Sequence, residues 1–344
     1  MDIECVAKAI FYLRKRAGYT QKDLADRLGV SDKAISKWER GLGLPDVSLL
    51  GKLSVLLDTD TDSLLKGDVI HHDKKWHGIC IFDDNLYEIG PDTIVFDKPL
   101  LYYLLSYFLL VGIKDIRIIC ADKNKEFIKH EFGGEKALNI SISFGDTLLD
   151  VITDESFMNC DNVMILFGRS FIYGVDLTRF FQKAMNNKEH ITILALPKGN
   201  RNDSSIIRFD ENKKIVTSSH DSQIKTQYDY YNIPILFCPK PLLYNIYRAA
   251  VNSNDISKIF YNQDVYVEVL DRGFVEISIN TNDDVIEASN FVRIVQDHCG
   301  MIIYCIEEVA WRRGLIQKSN MIYRGKIKEG TEYGDYILAF CSET

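Results

Sequence analysis

The chain has 344 residues, 46% hydrophobic and 26% charged, with a formal net charge of −8. That length exceeds what one hydrophobic core usually serves, so two domains are expected, with ample apolar material for a core. The charge is uneven: residues 1–67 hold 11 Lys and Arg against 10 Asp and Glu, leaving 30 against 39 for the remainder. A nucleic-acid-facing surface is therefore possible only in the first segment.

The eight cysteines (Cys5, Cys80, Cys120, Cys160, Cys238, Cys299, Cys305, Cys341) show no CxxC spacing, which argues for reduced thiols in a cytoplasmic protein rather than disulfides or zinc. Met1 leads into an amphipathic charged stretch, so no secretory leader is expected. The one membrane suspect, Pro99 to Ile113, is too short to span a bilayer and runs into a charged strand. A buried helix is expected there.

In chain order, Val6, Ala9, Ile10, Leu13 and Ala17 fall at helical spacing, and Gly18 stops the run. Thr20 offers an N-cap for a second helix that ends at Gly29, and Ser31 offers another for a third, DKAISKWERG. Leu24, Ala25, Leu28, Val30, Ile35 and Trp38 should face inward. Helix, short turn, helix is a DNA-reading geometry.

The run TQKDLADRLGVSDKAISKWERGLGLPDVSLLGKLSVLL resembles the lambda-repressor/Cro-type helix-turn-helix family, also called xenobiotic-response-element-type, over residues 6 to 66. The resemblance implies that Gln21 and the start of the second helix grip phosphate while the exposed face of the third enters the major groove. That face, from Ser31, carries Asp32, Lys33, Ser36, Lys37 and Arg40. Lys33, Ser36 and Lys37 are the expected DNA contacts. Lys8, Arg14 and Lys52 are expected on solvated faces, and Trp38 and Glu39 in structural roles.

A short fifth helix around Ser63 to Leu65 closes this domain, 1–67. A polar linker, 68–76, follows. His71, His72 and His77 lack the spacing of a metal site and are expected in a solvated connection.

From 77 to 344, short apolar runs alternate with helical stretches. HGICIF, DIRIIC, NVMILF, HITILAL, NIPILFC and DVYVEVL predict strands; KPLLYYLLSYFLLVG and LTRFFQKAMNN predict helices. The pattern predicts an α/β domain with a mixed, largely parallel sheet covered on both faces. Ligands in such a sheet bind beyond the strands' carboxyl ends, after Phe82, Cys120 and Phe167.

FDKPLLYYLLSYFLLVGIKDIRII, ILFGRSFIYGVDL, DRGF and VIEASNFVRIVQDHCGMIIYCIEEVAWRRGLI resemble the glucose-1-phosphate thymidylyltransferases, from about His77 to Leu338. The resemblance implies a Rossmann-like nucleotidyltransferase sheet with a C-terminal helical extension. It also implies stations for phosphate and Mg²⁺, and here these carry other residues. The glycine-rich phosphate loop becomes Asp83, Asp84, Asn85, Leu86, Tyr87, Glu88 and Ile89. The metal aspartate of Leu-Gly-Asp-Asn becomes Arg169, and that of Leu-Asp-Thr-Gly-Thr becomes Ser278. The sugar-binding Glu-Glu-Lys-Pro becomes Ser219 to Ser222, and the base-reading segment becomes Asp146 to Leu149.

Asp83, Asp84, Lys98, Arg169, Tyr173, Ser219, Arg272 and Ser278 are the candidate residues of the degenerate pocket. Tyr173 and Arg272 belong to retained motifs and are expected near Arg169, whose guanidinium either replaces the lost metal charge or plugs the site against Asp83, Asp84 or Asp146. No catalytic or metal-binding residue is assigned. The expected protein is a transcription regulator that binds double-stranded DNA on a two-fold symmetric operator as a homo-oligomer, without a membrane. Its second domain is then a nucleotide-sugar or sugar-phosphate sensor, an oligomerisation frame, or both. The alternative is an active glucose-1-phosphate thymidylyltransferase with an appended DNA-binding domain, and only this alternative calls for Mg²⁺ as a cofactor.

Overall fold

The computed structural model describes residues 3–17, 19–57, 59, 61–66, 75–82, 89–134, 138–187, 189–197, 206–210, 215, 229–251, 265–313 and 315–343. The chain divides into two compact units, Met1–Asp73 and Lys74–Thr344.

The first unit consists of α1 (Ile3–Arg16), α2 (Gln21–Leu28), α3 (Asp32–Glu39), α4 (Val47–Leu56) and α5 (Thr61–Lys66). Local chemistry sets the helix ends. Thr20 and Asp23 close a reciprocal capping box, Gly29 ends α2 in the left-handed region at φ 73°, and Ser31 accepts the Ala34 N–H to start α3. Val6, Ile10, Leu13, Leu24, Ile35 and Leu53 fill the core.

Arg14 departs from its expected solvated face. It is buried, and its guanidinium grips Glu39 in a two-pronged ion pair at 2.5 and 2.9 Å while donating to the Tyr19 carbonyl at 2.8 Å. A position facing the core at helical spacing tolerates arginine only when a carboxylate meets it, and α3 supplies one. Lys8 stays exposed beside Glu4.

The second unit opens with β1 (Trp76–Ile81), one residue ahead of the expected boundary. There follow β2 (Ile94–Val95), β3 (Lys98–Pro99), α6 (Leu100–Leu110), β4 (Asp115–Ile119), α7 (Asp122–Phe132), β5 (Ser141–Gly145) and α8 (Leu148–Thr153). Then come β6 (Asn162–Phe167), β7 (Ser170–Tyr173), α9 (Leu177–Asn186), β8 (Ile191–Pro197), β9 (Ile206–Ile207), β10 (Tyr230–Pro239) and α10 (Lys240–Val251). The chain ends with β11 (Val265–Val269), β12 (Val275–Ser278), α11 (Asn282–Cys299), α12 (Ile306–Arg312), α13 (Lys318–Ile327) and α14 (Glu332–Glu343).

The main sheet runs β11, β8, β10, β6, β1, β4, β5, with β9 on β10. It is parallel except for β10, which pairs antiparallel with β6, β8 and β9. Alternate residues of the same strands feed two cores: Cys80, Met164 and Leu166 one, Ile79, Val163 and Ile165 the other. Burial on both faces explains the unbroken apolar runs. α6 is the buried helix expected from the Pro99–Ile113 stretch, and among the described residues no helix is long and apolar enough to cross a membrane.

His77 differs from the expected linker histidine. It pairs in register with Val163 of β6 and is 2% exposed. His71 and His72 lie outside the described residues.

The C-terminal helices are fastened by buried charge. Arg324, 2% exposed, bonds Glu307 at 2.8 Å and the Tyr102 hydroxyl at 3.2 Å; Glu307 also accepts from Tyr333, and Lys328 bonds Glu131 at 3.0 Å.

Removing one partner of a buried pair leaves an uncompensated charge, so Glu39→Ala is expected to destabilise the first unit by about 3 to 5 kcal/mol. Denaturant titration of the full chain, read by hydrogen exchange in α1, checks this. A loss under about 1 kcal/mol, the range of an exposed pair, contradicts the burial argument.

Candidate functional site

In the first unit, α3 and its cap Arg40 leave Asp32, Lys33, Lys37 and Arg40 exposed and Ser36 partly so, while Ile35 and Trp38 are buried. Ser31 and Asp32 are engaged locally, Ser31 as the cap and Asp32 with the Lys33 N–H at 2.8 Å. The Arg40 side chain folds back to the Ser36 carbonyl at 3.3 Å. Gln21, at the start of α2, donates its amide to Glu39 at 2.7 Å, so the pair that anchors α1 to α3 also orients the residue expected on phosphate. The exposed face carries three cations and one carboxylate, a composition suited to a polyanion.

In the second unit, β6 ends in the turn Gly168–Arg169 and returns as β7, which pairs antiparallel with β12. A side chain at Gly168 would strike the Phe82 ring and the Ile81 carbonyl, and the Gly168 N–H bonds that carbonyl at 2.7 Å. At this end of the ribbon Ser278 lies opposite Ser170, and the next residue, Ile279, donates its N–H to the Arg169 carbonyl at 2.7 Å. The backbone thus brings together Arg169 and Ser278, the two positions that the resemblance assigns to metal aspartates.

The Ser278 hydroxyl sits 2.7 Å from the Tyr231 hydroxyl and donates to Glu276 at 2.9 Å. Glu276 is fully buried and also accepts from Ser170 at 2.8 Å. Glu276, Ser170 and Tyr231 were not among the sequence candidates. The signal was present: Glu276 is an acid in a four-residue strand, on the same face as Ser278 two residues on.

The other candidates separate. Tyr173 and Arg272 lie at the opposite end of the ribbon, where Tyr173 pairs with Val275, roughly 10 Å of strand from Ser170. Tyr173 packs against Phe291 and Tyr304, and burial pushes its phenol up. Arg272 is exposed. The two therefore do not flank Arg169 as expected.

Lys98 is not in the pocket either. It is 2% exposed, paired with Asp97 at 2.9 Å and laid over the Tyr103 ring at 4.2 Å. Burial lowers its pKa, against the pull of Asp97. It sits there because β3 turns directly into α6, and Tyr103 of α6 and Tyr333 of α14 enclose it. Asp146 is bound to Lys125 at 2.7 Å on the surface. Asp83, Asp84 and Ser219 lie outside the described residues, as do Asn85 to Glu88 and Ser218 to Ser222.

Mg²⁺ takes oxygen ligands dominated by carboxylates. The stations carry a guanidinium and a hydroxyl, the nearby Glu276 is saturated by serine donors on one oxygen, and no group of three or more His, Cys, Asp or Glu among the described residues could hold a metal. Among the described residues, the two stations do not offer the carboxylates that the ion needs. A separate cleft of about 690 Å³, lined by Thr153, Glu155, Ser156, Asn159 and Lys240, opens ahead of β6, at the opposite end of that strand from Arg169.

Comparison with known proteins agrees with this geometry. A helix-turn-helix family model matches residues 10–64, and a nucleotidyl transferase family model matches residues 91–218. A glucose-1-phosphate thymidylyltransferase of Neisseria meningitidis is 28% identical over 258 residues, 71% of this chain and 89% of that protein. One from Mycolicibacterium smegmatis is 27% identical over 261 residues, 71% and 88% of the two chains. A crystal structure from Bacillus anthracis, described as a glucose-1-phosphate thymidylyltransferase in complex with sucrose, matches at a TM-score of 0.50 and 16% identity. It covers 63% of this chain and 95% of that one, a likeness of fold. This chain thus joins a helix-turn-helix domain to a nucleotidyl transferase domain related to the glucose-1-phosphate thymidylyltransferases.

Proposed function

We propose that this chain is a cytoplasmic DNA-binding transcription regulator whose second domain no longer transfers nucleotides. That domain senses a nucleotide sugar or sugar phosphate and holds copies of the chain together. The observation that carries this reading is the pair Arg169 and Ser278, adjacent through the Ile279 N–H but lacking both carboxylates. Ser278 is closed into a chain with Tyr231 and the buried Glu276, which leaves the second station filled by internal hydrogen bonds. A metal normally supplies several kcal/mol of charge stabilisation to phosphoryl chemistry, and nothing at these positions replaces that. A guanidinium can instead hold a phosphate without activating it.

The activity named for the relatives favours the second reading, an active thymidylyltransferase carrying a DNA-binding appendage. That reading needs carboxylates for Mg²⁺, and Glu276, buried and committed to two serines, is poorly placed to serve.

Two outcomes follow. The first concerns DNA: a single module of this size binds weakly, so the operator is expected to be two-fold symmetric and read by a dimer or larger oligomer. Lys37→Ala and Ser36→Ala should each weaken binding to a selected duplex by about 1 to 3 kcal/mol at fixed salt, measured by mobility shift. Unchanged sequence-specific binding by both would remove α3 as the reading helix.

The second concerns chemistry: no pyrophosphate release is expected from dTTP and glucose 1-phosphate in Mg²⁺. Release that scales with protein and stops on chelation would establish the enzyme reading instead.

A further inference from the structure

His77 is the second residue of β1, where the chain enters the second unit, and is 2% exposed. Its ring lies 4.8 Å from that of Phe157. Neither ring nitrogen makes a hydrogen bond of good geometry among the described residues: the Phe157 main chain interacts with the ring only weakly, and Nε2 stands 3.5 Å from the nearest Asp115 oxygen.

The charged and titratable neighbours come from every side. Lys75 immediately precedes β1, Asp115 begins β4, Cys160 and Asp161 precede β6, and Lys240 begins α10. Most are already committed. Asp161 exchanges hydrogen bonds with the Lys75 main chain, both at 2.9 Å, and the Lys240 amine donates to the Met158 carbonyl. Burial pushes the Cys160 thiol up to about 11, so it stays neutral. Burial lowers the His77 pKa and outweighs Asp115 and the Phe157 main chain, which favour an imidazolium, leaving it below its ordinary value.

We propose that His77 is an acid-sensitive latch at the entry of the second domain. Neutral, it packs on Phe157 and holds the first residues of β1 in the sheet. Protonated, it leaves that packing, and residues 75–77 detach to lengthen the connection between the domains. The inference concerns the connection and stands whether or not the second domain senses a ligand.

The direction is fixed by linkage. In the detached segment the imidazole regains a pKa of about 6.5. Because the packed value is lower, the latch is fully stable above about pH 6.5. It loses stability as pH falls toward the packed value, with opening rising by at most about tenfold per pH unit. Hydrogen exchange with mass spectrometry on the full chain, corrected for intrinsic rates, tests this between about pH 7.5 and about pH 5.5. The expected result is a several-fold rise in opening of the segment 75–80, with β8 unchanged, and loss of that rise in His77→Phe, which keeps a flat ring on Phe157. No rise in the wild type, or the same rise in His77→Phe, overturns the proposal. If His77→Phe fails to fold, the imidazole titration of wild-type His77 by NMR decides. A midpoint below the free value supports the latch, and one at or above it overturns it.

Discussion

A short antiparallel ribbon, β7 against β12, fixes how close two widely separated parts of the chain come. Its hydrogen bond from Ile279 to Arg169 sets Arg169 next to Ser278, the two positions that the resemblance assigns to metal aspartates, independent of the side chains they carry. The backbone therefore retains the frame of a nucleotidyl transferase site while the chemistry at that frame is different. Around Ser278 the freed hydrogen-bonding capacity is taken up internally by Glu276, Ser170 and Tyr231. Those hydrogen bonds help make a buried acid tolerable.

The same logic of internal satisfaction holds the periphery. Arg324 and Glu307 tie α13 to α12, with Arg324 also reaching Tyr102 of α6, and Arg14 and Glu39 tie α1 to α3 in the other unit. These pairs set geometry more than they add net stability, since burying both charges costs much of what their attraction returns. In the first unit the geometry matters directly, because Glu39 also holds Gln21 at the start of α2.

Features set by neighbouring residues were legible in the sequence. The caps at Thr20, Gly29 and Ser31 close through hydrogen bonds within a few residues, so residue type and position reveal them. The central strands also show, as unbroken apolar runs, because they are covered on both faces. What depends on distant partners was not legible. Arg14 looks solvated until Glu39, 25 residues away, is folded against it. Glu276 gains its role from Ser170, 106 residues earlier. His77 resembles its polar neighbours until β6 takes it into the sheet, and Lys98 appears available for a ligand until α6 and the C-terminal helices enclose it. Residues of the candidate pocket such as Tyr173 and Arg272 shared a motif with the stations but fell at the wrong end of a four-residue strand.

The central claim is that a ligand held at Arg169 alters DNA binding. The direct measurement is the affinity of the full chain for a selected duplex at one fixed salt concentration, with and without saturating dTDP-glucose or glucose 1-phosphate, for the wild type and for Arg169→Ala. The account predicts a change of about tenfold or more, a coupling of at least about 1.4 kcal/mol, that disappears in Arg169→Ala while affinity without ligand stays the same. Equal affinity with and without every ligand of this class in the wild type would contradict it and leave the second domain as a frame for assembly.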